Sequence, residues 1–195
     1  MRVIGLTGGI GMGKSTAAAI FRRTHLPVFD ADRAVRALQA RGGAAVPLIA
    51  AAFPGTVGAG GIDRARLRAA VLGKPQALAH LEAIIHPLVR DAERRFIAGA
   101  RRRRARAAIL DIPLLFETGG SRRVDAVIVV SAPAAVQRAR VRARRQMSEA
   151  EITAIVARQM ADAEKRRRAD VVVRTGLSRH HAWRQLRRFI LRTLR

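Results

Sequence analysis

The sequence has 195 residues, with 38 Lys and Arg against 14 Asp and Glu, a net charge of +24 and no cysteine. That length suits one domain with a sizeable buried interior, and the missing thiols exclude disulfides and thiolate metal sites. No run approaches the ~20 apolar residues of a membrane span, so the composition points to a cytoplasmic protein.

The charge points to phosphorylated small molecules or to nucleic acid. Only Lys14, Lys74 and Lys165 are lysines, so arginine carries nearly all of it, a pattern that codon bias in a GC-rich genome also produces.

In chain order, Val3 to Leu6 reads as a short buried strand. It runs into "TGGIGMGKST" (7 to 16) and then a helix from Lys14 to Arg23. The spacing G-x-x-x-x-G-K-S from Gly8 to Ser15, set between a strand and a helix, is that of a phosphate-binding loop. Its glycines let successive N–H groups wrap a polyphosphate, and the start of the helix adds its positive end. Lys14 then reaches the terminal phosphates of a nucleoside triphosphate and the Ser15 hydroxyl binds magnesium. Gly8, Gly11, Met12, Gly13, Lys14, Ser15 and Thr16 are the expected nucleotide contacts.

"LPVFDAD" (26 to 32) repeats the strand-to-helix logic, with Val28 and Phe29 as the strand and a helix through Val35 and Leu38 after it. Ligands of an open parallel sheet collect outside the carboxyl ends of its strands. Asp32 is therefore the candidate base that accepts the attacking hydroxyl's proton, while Asp30 either faces the phosphates or caps the helix. Residues 41 to 62 hold two glycine-rich breaks and read as an inserted, mostly helical subregion. It is continued by a helix capped at Asp63 and by a long helical pattern over 75 to 97 with a proline at 87.

"RRRRAR" (101 to 106) reads as a solvated loop, after which "AAILDIPLLFE" (107 to 117) and "VDAVIVV" (124 to 130) resume the sheet pattern. Apolar residues in consecutive positions suit parallel strands covered on both faces. Asp111 faces the same crevice and is placed to orient magnesium through water. Helical stretches follow over 134 to 145 and 148 to 168, then a short strand (169 to 173) and a C-terminal helix capped by Ser178. Strands alternating with helices give an α/β fold with an open parallel sheet.

Taken together, "LTGGIGMGKST", "VFDAD", "IIHPLV" (84 to 89), "DIPLLFETG" (111 to 119), "QRARVRAR" (137 to 144), "RQMADAEKRRRAD" (158 to 170) and "TGLS" (175 to 178) resemble the dephospho-coenzyme A kinase family along essentially the whole chain. The resemblance implies a P-loop NTPase-type three-layer fold within one domain, 1–195. It also implies a helical acceptor-binding insertion about 38–98 and a helical lid about 138–168.

The activity it implies is transfer of the ATP γ-phosphate to the ribose 3′-hydroxyl of dephospho-coenzyme A, with Mg2+. The family's base falls on Asp32, with Lys14 and Arg140 as further catalytic groups. Its acceptor contacts fall on Asp32, Arg36, His86, Pro113, Leu114 and Glu117, and its lid arginines on Arg140 and Arg144. Where relatives commonly carry an Asn in a short "DNSG" stretch, this chain reads "RTGLS" (174 to 178), and no adenine contact is assigned there.

A monomer or weak homo-oligomer acting on a small molecule, with no nucleic acid and no membrane, is the expected mode of action. The alternatives are another small-molecule kinase, a nucleic-acid-binding P-loop protein using the arginine-rich C-terminal helix, and the same helix lying on anionic membrane. At single positions, His86 can instead be a packed histidine, Glu117 a salt bridge, and Arg140 and Arg144 parts of a solvated basic face.

Overall fold

The structure is a computed structural model that describes residues 1–145, 149–157 and 159–193. From the N-terminus the chain forms β1 (Arg2–Thr7), α1 (Lys14–Arg23) and β2 (Val28–Asp30). Next come α2 (Ala31–Gln39), α3 (Val46–Ala52), the short strands β3 (Val57–Gly58) and β4 (Gly61–Ile62), α4 (Arg64–Val71) and α5 (Pro75–Arg102). The remainder carries β5 (Ala107–Asp111), β6 (Ala126–Ser131), α6 (Ala134–Arg145), α7 (Glu149–Ala157), α8 (Asp162–Arg167), β7 (Val171–Arg174) and α9 (Arg179–Thr193). Two compact units result: Met1–Phe29 with Gly99–Arg195, and Asp30–Ala98.

The first unit is built on a five-stranded sheet in the order β2-β5-β1-β6-β7. β1 pairs in parallel with β5 and with β6, and β6 in parallel with β7. Because side chains alternate along a strand, β6 sends Ile128 and Val130 to one face and Val127 and Val129 to the other. On the first face they meet Ala17 and Phe21 of α1 and Leu186 and Phe189 of α9. On the second they meet Leu115, Phe116, and the residues flanking α8, Met160 and Ala169. Helices and turns thus cover both sides, as an all-parallel sheet requires. Register sets Leu6 opposite Asp111 and Thr7 opposite Val129, so the phosphate loop leaves the sheet beside the last residue of β5.

The second unit gathers Ala45, Ile49, Phe53, Ile62, Leu67 and Leu81 into its own core. Two of its helices, α2 and α4, start where the sequence offers a cap. Asp30 Oδ1 accepts the Arg33 N–H at 2.9 Å, and Asp63 Oδ1 accepts those of Ala65 and Arg66 at 2.9 and 3.1 Å.

Three local expectations change. Within 41 to 62 an antiparallel hairpin, Val57 opposite Ile62, stands between α3 and α4; two-residue strands leave no alternation to detect. The pattern over 107 to 117 stops as a strand at Asp111, since Pro113 has no N–H for a ladder. Where the sequence predicts one helical stretch over 148 to 168, the described residues form two helices, α7 and α8. Between them the Met160 N–H goes to Glu117 Oε1 at 3.0 Å instead of to a helical carbonyl. Among the described residues no helix is long and apolar enough to cross a membrane.

Candidate active site

Between β1 and α1 the chain turns through a loop whose shape requires glycine. Gly11 and Gly13 have φ of +74° and +91°, the left-handed region that side chains rarely adopt. Space forbids a side chain as well. A Cβ at Gly11 would lie 2.8 Å from Val141 Cγ2 and 2.9 Å from the Gln137 carbonyl oxygen, and one at Gly13 would lie 3.0 Å from Thr175 Oγ1. Gly13 is the N-cap of α1 and supplies no side-chain cap, so the first N–H groups of a ten-residue helix stay available to an anion.

Polar side chains fix this loop from outside. Ile10 donates its N–H to Gln159 Oε1 at 3.0 Å and accepts from Gln137 Nε2 at 2.8 Å on its carbonyl. Met12 turns inward, 3% exposed. Its Sδ accepts the Ala132 N–H at 3.1 Å, its own N–H goes to the Gly9 carbonyl at 3.2 Å, and its carbonyl accepts from Thr175 Oγ1 at 2.6 Å. Every polar group of Met12 is therefore engaged within the protein, and Met12 helps to set the shape of the loop.

Lys14 stands at the first position of α1 with its Nζ 2.6 Å from Asp111 Oδ1. The Asp111 side chain is 5% exposed, and the short distance marks a charge-assisted bond. Asp111, expected to orient magnesium, is thus first the counter-ion that aims Lys14 along the loop. Ser15 is exposed and Thr16 half-buried on the next two positions.

Among the described residues no group of three or more His, Asp or Glu forms a cation cage. Mg2+ usually takes only one or two protein groups and completes its shell with phosphate and water, so an exposed Ser15 hydroxyl at the loop fits that ion.

Arg140 of α6 lies over the same loop. Nη1 donates to the Gly11 carbonyl at 3.4 Å and to Thr175 Oγ1 at 3.2 Å, and Nη2 donates to the Thr175 carbonyl at 2.7 Å. Beside it opens a cavity of about 250 Å³ lined by Gly11, Gly13, Thr16, Arg140, Thr175 and Ser178 among others. Seven expected nucleotide contacts and Arg140 thereby come together in the first unit. The expected contact Arg144 is different: its side chain lies outside the described residues.

The other expected contacts lie in two places. After β5, the Pro113 carbonyl accepts from Thr7 Oγ1 at 2.9 Å, and Leu114 is exposed. Glu117 Oε1 accepts the Met160 N–H at 3.0 Å and pairs with Lys165 Nζ at 2.8 Å. Partial burial of Glu117 opposes its charge. The Lys165 ammonium and the two backbone N–H groups outweigh that burial and hold its carboxyl below the ordinary glutamate value.

In the second unit Asp32 and Arg36 are exposed on α2 one turn apart, and His86 is half-buried on α5 just before Pro87.

Sequence reasoning assigned no role to Gln137, Gln159, Lys165 or Thr175. All four lie inside the segments that carry the family resemblance, which was the available signal. A single polar residue bonded to backbone leaves no periodic trace of its own.

The sequence pattern of the family described as dephospho-CoA kinase matches residues 2–179. A dephospho-CoA kinase of Gluconobacter oxydans (strain 621H) is 56% identical over 190 residues, 95% of this chain and 94% of its own length. A crystal structure from Thermus thermophilus superposes with a TM-score of 0.86 at 36% identity, covering 100% of this chain and 98% of its own. Dephospho-CoA kinase from Campylobacter jejuni shares the fold, with a TM-score of 0.67 at 21% identity over 98% of this chain and 96% of its own. With the phosphate loop, the parallel sheet and these relatives in agreement, the chain belongs to the dephospho-CoA kinase family, the P-loop kinases of the final step of coenzyme A biosynthesis.

Proposed function

We propose that this member transfers the γ-phosphate of ATP to the ribose 3′-hydroxyl of dephospho-coenzyme A, in the cytoplasm, giving coenzyme A and ADP. The observation that carries the reading is the joint placement of the glycine loop, Lys14 and Arg140 around one anion-binding helix start.

The bond that forms joins the acceptor 3′-oxygen to the γ-phosphorus, and the bond that breaks joins that phosphorus to the β–γ bridging oxygen. The loop N–H groups and α1 hold the triphosphate. Lys14, aimed by Asp111, neutralises charge on the terminal phosphates, and Arg140 with Arg144 spreads that neutralisation from the lid. Ser15 holds Mg2+, which when bound neutralises the phosphate oxygens.

Asp32 takes the proton of the attacking hydroxyl. The acceptor is bound by Arg36 and His86 in the helical insertion, and by Pro113, Leu114 and Glu117 after β5. The contacts of Glu117 with Met160 and Lys165 both use Oε1.

The test is ADP production from ATP and Mg2+ with and without dephospho-coenzyme A, with the product identified by mass. Stimulated turnover with a 3′-phosphorylated product is expected. Folded, ATP-binding protein that shows no stimulation overturns the acceptor.

A further inference from the structure

Thr175, the first residue after β7, sits at a junction of three elements and is 5% exposed. Its N–H donates to the Ser131 carbonyl at the end of β6, 2.8 Å away. Its Oγ1 donates to the Met12 carbonyl in the phosphate loop at 2.6 Å, and the same oxygen accepts from Arg140 Nη1. Its carbonyl accepts the second nitrogen, Nη2. Its side chain also fills the space that a Cβ on Gly13 would need. One residue thus carries strand end, loop and lid arginine together.

The bond count shows what this does. A guanidinium has five N–H groups in a rigid plane. Two on Nη1 and one on Nη2 go to Gly11 and Thr175, which leaves one on Nη2 and the Nε–H. Because the plane is fixed by both a hydroxyl and a carbonyl of the same residue, the direction of those two remaining donors is fixed as well. A hydroxyl has a single proton; the Met12 carbonyl at 2.6 Å is the closer of its two acceptors, the Ser131 carbonyl lying at 3.3 Å, and with either the oxygen keeps lone pairs to accept from Arg140. Valine, with the same shape, does neither.

We infer that the Thr175 hydroxyl is a positioning group for nucleotide binding, orienting Arg140 and the phosphate loop as one unit while touching no substrate atom itself. The inference rests on the reading that Arg140 faces the nucleotide.

The test is equilibrium titration with a fluorescent ATP analogue, alongside kcat and KM for ATP, on Thr175→Val, Thr175→Ser, Arg140→Ala and the Thr175→Val/Arg140→Ala double variant. Thr175→Val should weaken ATP binding about 10-fold, the scale of losing hydrogen bonds to a charged group, whereas Thr175→Ser should stay within about 2-fold because it keeps the oxygen and its proton. With Arg140 already removed, Thr175→Val should add clearly less than its own 10-fold, since only the share that runs through the Met12 carbonyl is left to lose, the non-additivity of two residues that share a contact.

Unchanged affinity in Thr175→Val overturns the inference. So does a Thr175→Ser variant as weak as Thr175→Val, or two effects that simply multiply, or an Arg140→Ala variant that binds ATP normally. Should Thr175→Val fail to fold, Arg140→Lys probes the same contact from the other side. Its single ammonium cannot reproduce the planar bridge, and the same loss is expected, with normal affinity as the overturning result. None of these titrations needs the acceptor, so failure to phosphorylate dephospho-coenzyme A would sink the proposed reaction without deciding the role of Thr175.

Discussion

Around the phosphate loop Lys14 and Arg140 each have fixed partners. Lys14 is held by Asp111, Arg140 by Thr175 and Gly11, and the loop itself by Gln137 and Gln159. On α2 of the second unit, Asp32 and Arg36 are exposed, and among the described residues neither makes a side-chain hydrogen bond or an ion pair. The contrast separates two ways of building a site. Donors for a phosphate chain gain from being set in place before it arrives, because reorganisation then costs nothing in the transition state. On the proposed reaction, the base Asp32 would be ordered only by the acceptor that it meets.

The sharpest way to test this contrast is to remove one group from each side. Asp32→Asn should lower kcat about 10²–10⁴-fold with ATP affinity unchanged in a binding titration; a variant with near-normal turnover removes Asp32 from the role of base. Lys14→Ala should lower kcat by about 10²–10³-fold, the scale of a lost electrostatic stabiliser, and should also weaken ATP binding. It carries a further cost that Asp32→Asn does not, since Asp111 is left buried without its cation, and a lowered Tm is the measurement that reveals it.

A smaller effect is expected from Gly13→Ala. Left-handed backbone and the 3.0 Å approach to Thr175 together should cost about 1–3 kcal/mol in denaturant unfolding, with weaker ATP binding alongside. An equivalent substitution that proved neutral would mean the loop is less fixed than the contrast requires.

The smallest effect concerns pH. The Glu117 carboxyl is held below its ordinary value in the folded protein, so its pairing with Lys165 stabilises the fold at neutral pH. That stability is lost as the pH falls through the lowered value. Glu117→Gln should therefore flatten the fall of Tm between about pH 5 and pH 3 that linkage predicts for a paired carboxylate. An identical acid limb in both proteins would show that the pair contributes nothing.

Much of the architecture was legible because burial imposes patterns. The consecutive apolar runs of β1, β5 and β6 announced parallel strands, and the glycine spacing announced the loop because φ near +74° and +91° leaves no other residue type comfortable there. Asp30, Asp63 and Ser178 marked their helix starts by side-chain chemistry; the His181 N–H does reach Ser178 Oγ at 3.0 Å.

What stayed hidden was whatever depends on one residue meeting another far along the chain. Lys165 sits in the run "KRRR" and reads as solvated, yet it is 1% exposed against Glu117, 48 positions away in sequence. The break between α7 and α8 has the same origin, a carboxylate capturing a backbone N–H that the local sequence would have given to a helix.

Gln137 and Gln159 hold the two backbone polar groups of Ile10, its carbonyl from α6 and its N–H from the segment after α7. Between them lie residues 138–158, about two-thirds of the segment assigned to the lid. Coupling of this kind is reciprocal: whatever free energy that segment contributes to ordering the loop tip, ordering the loop tip returns to the segment. The Ile10 amide proton is therefore a natural gauge of the linkage. Its hydrogen-exchange rate reports how often Gln159 lets go of the loop tip, and a nucleotide that steadies the loop should slow exchange across α6 and α7 as well.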